Sequence, residues 1–238
     1  MLKLPVETVI FDLDGTLRQN VPSADETQYR LAVELGVDHR VDRQNLGARW
    51  AHYYWAQSED LFTDLERFKE MEADFWTHYS YRYLRALEVQ EQQAQALAAE
   101  LYQRMETEFK PENQLLPGVP ETLACLKQAG YAIGLVSNRS RPCQEECENL
   151  GLLPHLDFAY VAAEVEAWKP DPRIFERALS YNGGRPERTI YVGDNYYADV
   201  VGAQNASIQP VLIDPLGVFP DATCPVIRAI PDLLEWLT

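Results

Sequence analysis

The apolar run Val9-Ile10-Phe11 ends in Asp12-Leu13-Asp14-Gly15-Thr16, so two carboxylates stand two residues apart where a buried strand spills into a loop. In extended backbone, successive side chains point to opposite faces. Only as the chain leaves the strand can residues 12 and 14 both turn toward one cavity, and Gly15 permits that turn. A carboxylate can attack phosphorus, and a second can give a proton to a leaving oxygen and take one back from water. The same five residues also suit a strand followed by an Asp-Gly hairpin turn. The remainder of the chain decides between the two.

Three further pieces fall at the ends of later apolar runs. Tyr131 to Val136 ends in Ser137-Asn138, a hydroxyl donor followed by a residue whose backbone N–H can bind a phosphoryl oxygen. Lys169, in Trp168-Lys169-Pro170-Asp171-Pro172, stands on a loop just before an amphipathic stretch, where its ammonium can act as a point charge on phosphate. Thr189 to Val192 runs into Gly193-Asp194-Asn195-Tyr196-Tyr197-Ala198-Asp199, which supplies two more carboxylates, oxygen ligands of the kind magnesium takes. Each piece also has a plain structural reading, as a turn, a solvated charge or a helix N-cap. Ligands of open α/β sheets bind outside the carboxyl ends of the strands. All four pieces occupy such ends.

In this order the motifs resemble the haloacid dehalogenase-like (HAD) superfamily, in its phosphatase branch. The likeness covers Val6–Thr16 and about Leu116–Ile213, including Leu116-Pro117-Gly118-Val119-Pro120 ahead of the second motif. The resemblance implies that Asp12 is the nucleophile and a magnesium ligand. It makes Asp14 the general acid/base, with its backbone carbonyl on the metal. Ser137 would hold the phosphoryl group, Lys169 would steady nucleophile and phosphate, and Asp194 would ligate magnesium, with Asp199 a further ligand or a support behind one. True dehalogenases of the superfamily have tyrosine where this chain has Asp14, so Asp14 argues for phosphate chemistry. Two departures stand out: no glycine occurs in Glu164-Val165-Glu166-Ala167-Trp168, and Arg18 occupies a place that is often apolar. Arg18 could reach the substrate or face solvent.

From about Asn20 to Glu112 the texture changes: Gly and Pro nearly vanish and helix formers dominate. Ser23-Ala24-Asp25-Glu26 reads as a capping box and Gly36 as a stop. Further helices are expected from Arg43 to Gln57, Leu61 to Leu87 and Gln90 to Phe109, a four-helix insert. In the family resembled, an insert here is a type-one cap. The expected fold is therefore an α/β, doubly wound Rossmann-like parallel sheet (residues 1–19 and 113–238) with an inserted α-helical cap domain (residues 20–112). Eleven aromatics lie between Trp50 and Tyr83, and most should pack helix on helix. Arg49, Tyr53 and Tyr54, with Arg18 and Asn138, are the expected substrate contacts. Glu59, Asp60, Asp64 and Glu66 read as a solvated face or helix start.

The net charge of −16 argues against nucleic acid and anionic membrane as partners, and it leaves the site to make its own positive potential. No run of about 18 apolar residues and no signal peptide is visible, so a cytoplasmic location is expected. Cys125, Cys143, Cys147 and Cys224 do not read as a disulfide framework. A zinc site at Cys143, Cys147 and His155 lacks a closing pair at finger spacing. The expectation is a magnesium-dependent phosphomonoesterase for a small phosphorylated metabolite, a monomer or homodimer. A phosphomutase of the same superfamily is the alternative. A phosphoacceptor module of the receiver type or a silent binding protein would be non-enzymatic readings.

Overall fold

The computed structural model describes residues 5–181, 183 and 185–237. The chain divides into two compact units, Met1–Gln19 with Gln114–Thr238, and Asn20–Asn113. It leaves the first unit through β2 (Arg18–Val21) and returns through β3 (Glu112–Leu115), and these strands pair in a two-stranded sheet.

The first unit is built on β1 (Thr8–Phe11), β4 (Ala132–Ser137), β5 (Phe158–Val161), β6 (Thr189–Gly193), β7 (Gln209–Ile213) and β8 (Val226–Ile227). Their order in the sheet is β5-β4-β1-β6-β7-β8, and the neighbouring strands run parallel. A sheet covered on both faces needs apolar residues at every position, which is why β1 reads Thr-Val-Ile-Phe and is buried throughout. Val9, Phe11, Leu135 and Val192 face one layer with α6 (Val119–Gln128) and α7 (Gln144–Asn149). After the single turn α8 (Ala162–Val165), α9 (Pro172–Ser180) and α10 (Val201–Asn205) cover the other face with Ile10, Val136 and Tyr191. The last helix, α11 (Leu234–Leu237), follows the 3-10 turn Ile230–Leu233. The first motif follows β1, which lies between the strands carrying the second and fourth. The expected doubly wound sheet is present.

The second unit contains α1 (Ala24–Glu34), α2 (Val41–Trp55), α3 (Glu59–Phe68), α4 (Ala73–Ala86) and α5 (Glu91–Glu108). The Ser23 capping box forms, with Glu26 N–H on Ser23 Oγ at 3.1 Å and Ser23 N–H on Glu26 Oε2 at 3.2 Å. The unit has five helices, whereas four were expected: Leu61–Leu87 is broken where Lys69 takes a left-handed backbone (φ 62°) as the cap of α3. No glycine or proline marks that break. The Trp76 indole donates to Met71 O at 3.0 Å, tying the connection to α4.

Most of the aromatics pack among themselves, as expected. Trp50, Tyr54, Trp55, Trp76 and Tyr79 form one cluster, with Tyr54 edge-on to Tyr79 at 5.2 Å. Asp64 is not on a solvated face. It is buried at 1 % exposure, accepting from Tyr54 Oη at 3.0 Å and pairing with Arg82 Nε at 2.7 Å and His78 Nε2 at 3.3 Å. The packing of α4 against α3 puts Arg82 opposite Asp64, a partner that one-helix periodicity does not reveal. Arg82→Ala is expected to lower stability by about 2–3 kcal/mol, because a buried carboxylate loses its cation. Denaturant melts check this, and an unchanged midpoint would remove the network from the unit's stability. Among the described residues, no helix is long and apolar enough to cross a membrane.

Candidate active site

The loop after β1 doubles back at once: Gly15 N–H donates to Arg18 O at 2.8 Å and Leu17 N–H to Leu13 O at 3.0 Å. Gly15 has φ +81°, and a Cβ there would lie on the carboxylate of Asp194. A glycine is therefore required twice over, by the turn and by the carboxylate packed against it. At Gly193 the packing reason alone applies: a Cβ there would collide with Asp199. Gly15 lets the loop after β1 close on Asp194 of the loop after β6, and Gly193 lets that second loop fold back on itself through Asp199. Asp194 precedes, and Asp199 lies within, one turn of π-helix (Tyr196–Val200), a deviation frequent at functional sites.

Asp12, Lys169 and Asp199 are all buried, at 5, 2 and 1 % exposure. Lys169 Nζ donates to Asp12 Oδ1 at 2.6 Å and to Asp199 Oδ1 at 2.7 Å. Asp199 Oδ2 accepts from Asn195 N–H at 2.9 Å. Asp12, Asp194 and Asp199 each offer an oxygen within 4.8 Å of the others. Three carboxylates thus share one ammonium. Burial pushes the Asp12 carboxyl well above the ordinary carboxylate range against the pull of Lys169, and Asp199 and Asp194 raise it further. Asp194 is raised by burial and then by Asp199. Burial disfavours the Lys169 charge too, but Asp12 and Asp199 hold its proton well above the usual lysine range. Excess negative charge among hard oxygen donors is what a divalent cation such as magnesium would neutralise. The donor set fits that ion.

Asp14 points elsewhere. Its two oxygens accept from Arg139, Nε at 2.6 Å and Nη2 at 2.5 Å, and Arg18 Nη2 stands 2.5 Å from Oδ1. Glu146 on α7 pairs with both arginines, with Arg18 at 3.3 Å. Arg18 is therefore not a solvent-facing residue: it pairs with Asp14 and Glu146. Asn138 has a second task in its side chain, beside the backbone N–H expected to meet phosphate. Its side chain grips the Lys169 backbone, donating to Lys169 O at 3.0 Å and accepting from Lys169 N–H at 2.7 Å. Ser137 ends β4, buried at 1 % exposure.

In the second unit, Tyr54 is fully buried and engaged by Asp64, so it is a packing residue and not a substrate contact. Arg49 is part-buried and Tyr53 is 39 % exposed, both on α2. Glu166, in the loop lacking the expected glycine, takes the left-handed conformation itself (φ 53°). Cys143 and Cys147 are free thiols that hydrogen-bond to each other, and the one metal-competent group among the described residues is the aspartate trio.

Sequence reasoning missed Arg139, Glu146 and Tyr191. Arg139 directly follows Ser137-Asn138, a place where a cation could have been weighed. A tyrosine in a fully buried strand signals a partner for its hydroxyl. Glu146 carried no signal.

The fold and this constellation define an acid-based centre at the carboxyl ends of a parallel α/β sheet, with paired aspartates after one strand. A family profile for haloacid dehalogenase-like hydrolases matches residues 6–207, and the chain belongs to that family. It is similar to the phosphoserine phosphatase of Thermus thermophilus, 31 % identical over 88 % of this chain and 89 % of that protein. It is also similar to the glyceraldehyde 3-phosphate phosphatase of Pyrococcus furiosus, 29 % identical over 87 % and 80 %. In fold it resembles the HAD-hydrolase YfnB from Bacillus subtilis, solved bound to magnesium. That match has a TM-score of 0.59 and 21 % identity, covering 98 % of this chain and 99 % of that one.

Proposed function

We propose that this protein is a magnesium-dependent phosphomonoesterase acting on a small phosphorylated metabolite through an aspartyl-phosphate on Asp12. Phosphatase chemistry is supported by the family and by relatives named for phosphoserine and glyceraldehyde 3-phosphate. The observation that carries the finer reading is the division of labour on one loop: Asp12 is buried on Lys169, while Asp14, two residues on, is held apart by arginines. A nucleophile and a proton carrier need such different surroundings.

Lys169 favours the Asp12 carboxylate against the cost of burial and aligns it for in-line attack. Asp14 gives the leaving oxygen its proton and later takes one from water. Both oxygens of Asp14 are occupied by arginine, so proton exchange requires one of those bonds to open. Ser137 and the backbone beside it hold the phosphoryl oxygens. Asp12, Asp194 and Asp199, with the carbonyl of Asp14, would hold magnesium, which supplies charge neutralisation of the phosphoryl group when bound. Asp199 serves Lys169 in the same position.

We assign the second unit to substrate selection as a cap, with Arg49 and Tyr53 as leaving-group contacts, and place the activity in the cytoplasm on a free metabolite. A panel of phosphoserine, phosphoglycolate, triose and sugar phosphates and nucleotides, assayed for released phosphate with magnesium or chelator, tests the reading. Turnover of one metabolite that stops in chelator is expected. An isomerised sugar phosphate in place of free phosphate would make it a mutase, and full activity in chelator would remove the metal.

A further inference from the structure

Tyr191, in the middle of β6, is buried from solvent and touches the catalytic lysine, yet nothing in the mechanism above uses it. An ammonium has three N–H donors. Lys169 spends two on Asp12 and Asp199, and the third reaches the Tyr191 hydroxyl at 3.0 Å. That hydroxyl donates in turn to Val136 O at 2.9 Å, on the residue just before Ser137. Tyr191 pairs with Ile10 of β1, and Ile10 pairs with Gly134 of β4, so the phenol reaches across the strand that carries the nucleophile. Its ring packs edge-on to Phe175 at 4.9 Å.

We propose that Tyr191 is a positioning residue for Lys169: its hydroxyl fills the ammonium's third hydrogen bond and ties it to the end of β4. This rests on the reading of Asp12 as nucleophile. Packing alone asks only for a ring at this strand position, and a buried hydroxyl costs free energy unless it is bonded. A neutral acceptor satisfies the ammonium without adding a fourth carboxylate to a site that already has three. Without the hydroxyl, the third N–H faces only Val136 O at 3.5 Å, too long for a good bond. The ammonium would then settle toward one carboxylate and lose its alignment on Asp12.

The test is Tyr191→Phe in the full-length protein, with para-nitrophenyl phosphate and magnesium. The ring and its packing survive, so the melting temperature should stay within a few degrees and KM within about twofold. kcat should fall about 10- to 100-fold, as for a lost hydrogen bond to a charged group. In 15N-lysine-labelled protein without metal, the Lys169 ammonium resonance, assigned by its loss in Lys169→Arg, should shift or broaden in Tyr191→Phe. If the phenylalanine variant does not fold, Tyr191→Met takes its place. A folded variant with unchanged kcat and an unchanged lysine resonance overturns the proposal. Equal losses in stability and in both kinetic constants would make Tyr191 a packing residue and overturn it too. Asp12→Asn, run alongside, separates the two readings. If Asp12→Asn stays active the nucleophile assignment falls, while the resonance still decides whether Tyr191 holds Lys169.

Discussion

Asp12→Asn is expected to abolish turnover, by at least ~10⁴-fold or about 5 kcal/mol of transition-state stabilisation, while leaving the protein folded. The amide is nearly isosteric with the carboxylate but cannot attack phosphorus. Stability should not suffer, because the wild-type site is overcharged: Asp12, Asp194 and Asp199 share Lys169, and burial already disfavours the Asp12 charge. Removing one carboxylate leaves Lys169 paired with Asp199 at 2.7 Å. The metal-free variant should therefore melt no lower than wild type. Mass spectrometry of acid-quenched wild-type protein should find one phosphoryl group on the peptide containing Asp12, and none on the variant. Turnover within tenfold of wild type would refute the assignment.

Lys169→Met, unlike Asp12→Asn, should cost both stability and rate. It keeps volume but removes the one cation from a buried site with three acids, and breaking a buried pair in this way costs about 3–5 kcal/mol. The loss should depend on pH with a definite sign. Asp12 and Asp194 have folded pKa values raised above the unfolded ones, so the folded state binds more protons. Such groups add stability that is complete below the unfolded carboxylate pKa and is lost as pH rises through the raised folded value. The deficit of Lys169→Met relative to wild type should therefore be larger at pH 8 than at pH 5.5. Magnesium should recover part of it by replacing the missing positive charge. The rate should fall by roughly 10²- to 10³-fold even with metal, as when one preorganised charge is taken from a developing anion. Melts at two pH values, with chelator and with magnesium, check this. A pH-independent deficit would mean that the carboxylates do not carry the cost.

The motif-bearing strands were legible because their signals are local. Val9-Ile10-Phe11 and Thr189-Ile190-Tyr191-Val192 are continuous apolar runs, as strands covered on both faces must be. Each ends at an acidic loop. Ser23 and Glu26 likewise announced the start of α1 from three residues of spacing. The break after α3 was not legible, because it turns on one lysine adopting a left-handed backbone. Nor was the burial of Asp64 and Tyr54, since a carboxylate on α3 and a phenol on α2 carry no local sign that they will meet each other and the arginine of α4.

The amino-acid sequence alone determined which side chains stand at the strand ends and hence that aspartates, a hydroxyl and a lysine would meet at the carboxyl ends of the central strands. Strand periodicity and turn chemistry act over a few residues, and they suffice for that. Only the tertiary structure decided how those groups divide their bonds. Lys169 lies 157 residues from Asp12, and Arg139 lies 125 from Asp14. That the Asn138 side chain grips the Lys169 backbone, and that Arg18 pairs with Asp14, depends on which polar partner comes within 3 Å once water is excluded. Burial makes every unpaired donor costly, so the packed fold assigns each one a partner, and no local pattern records that assignment.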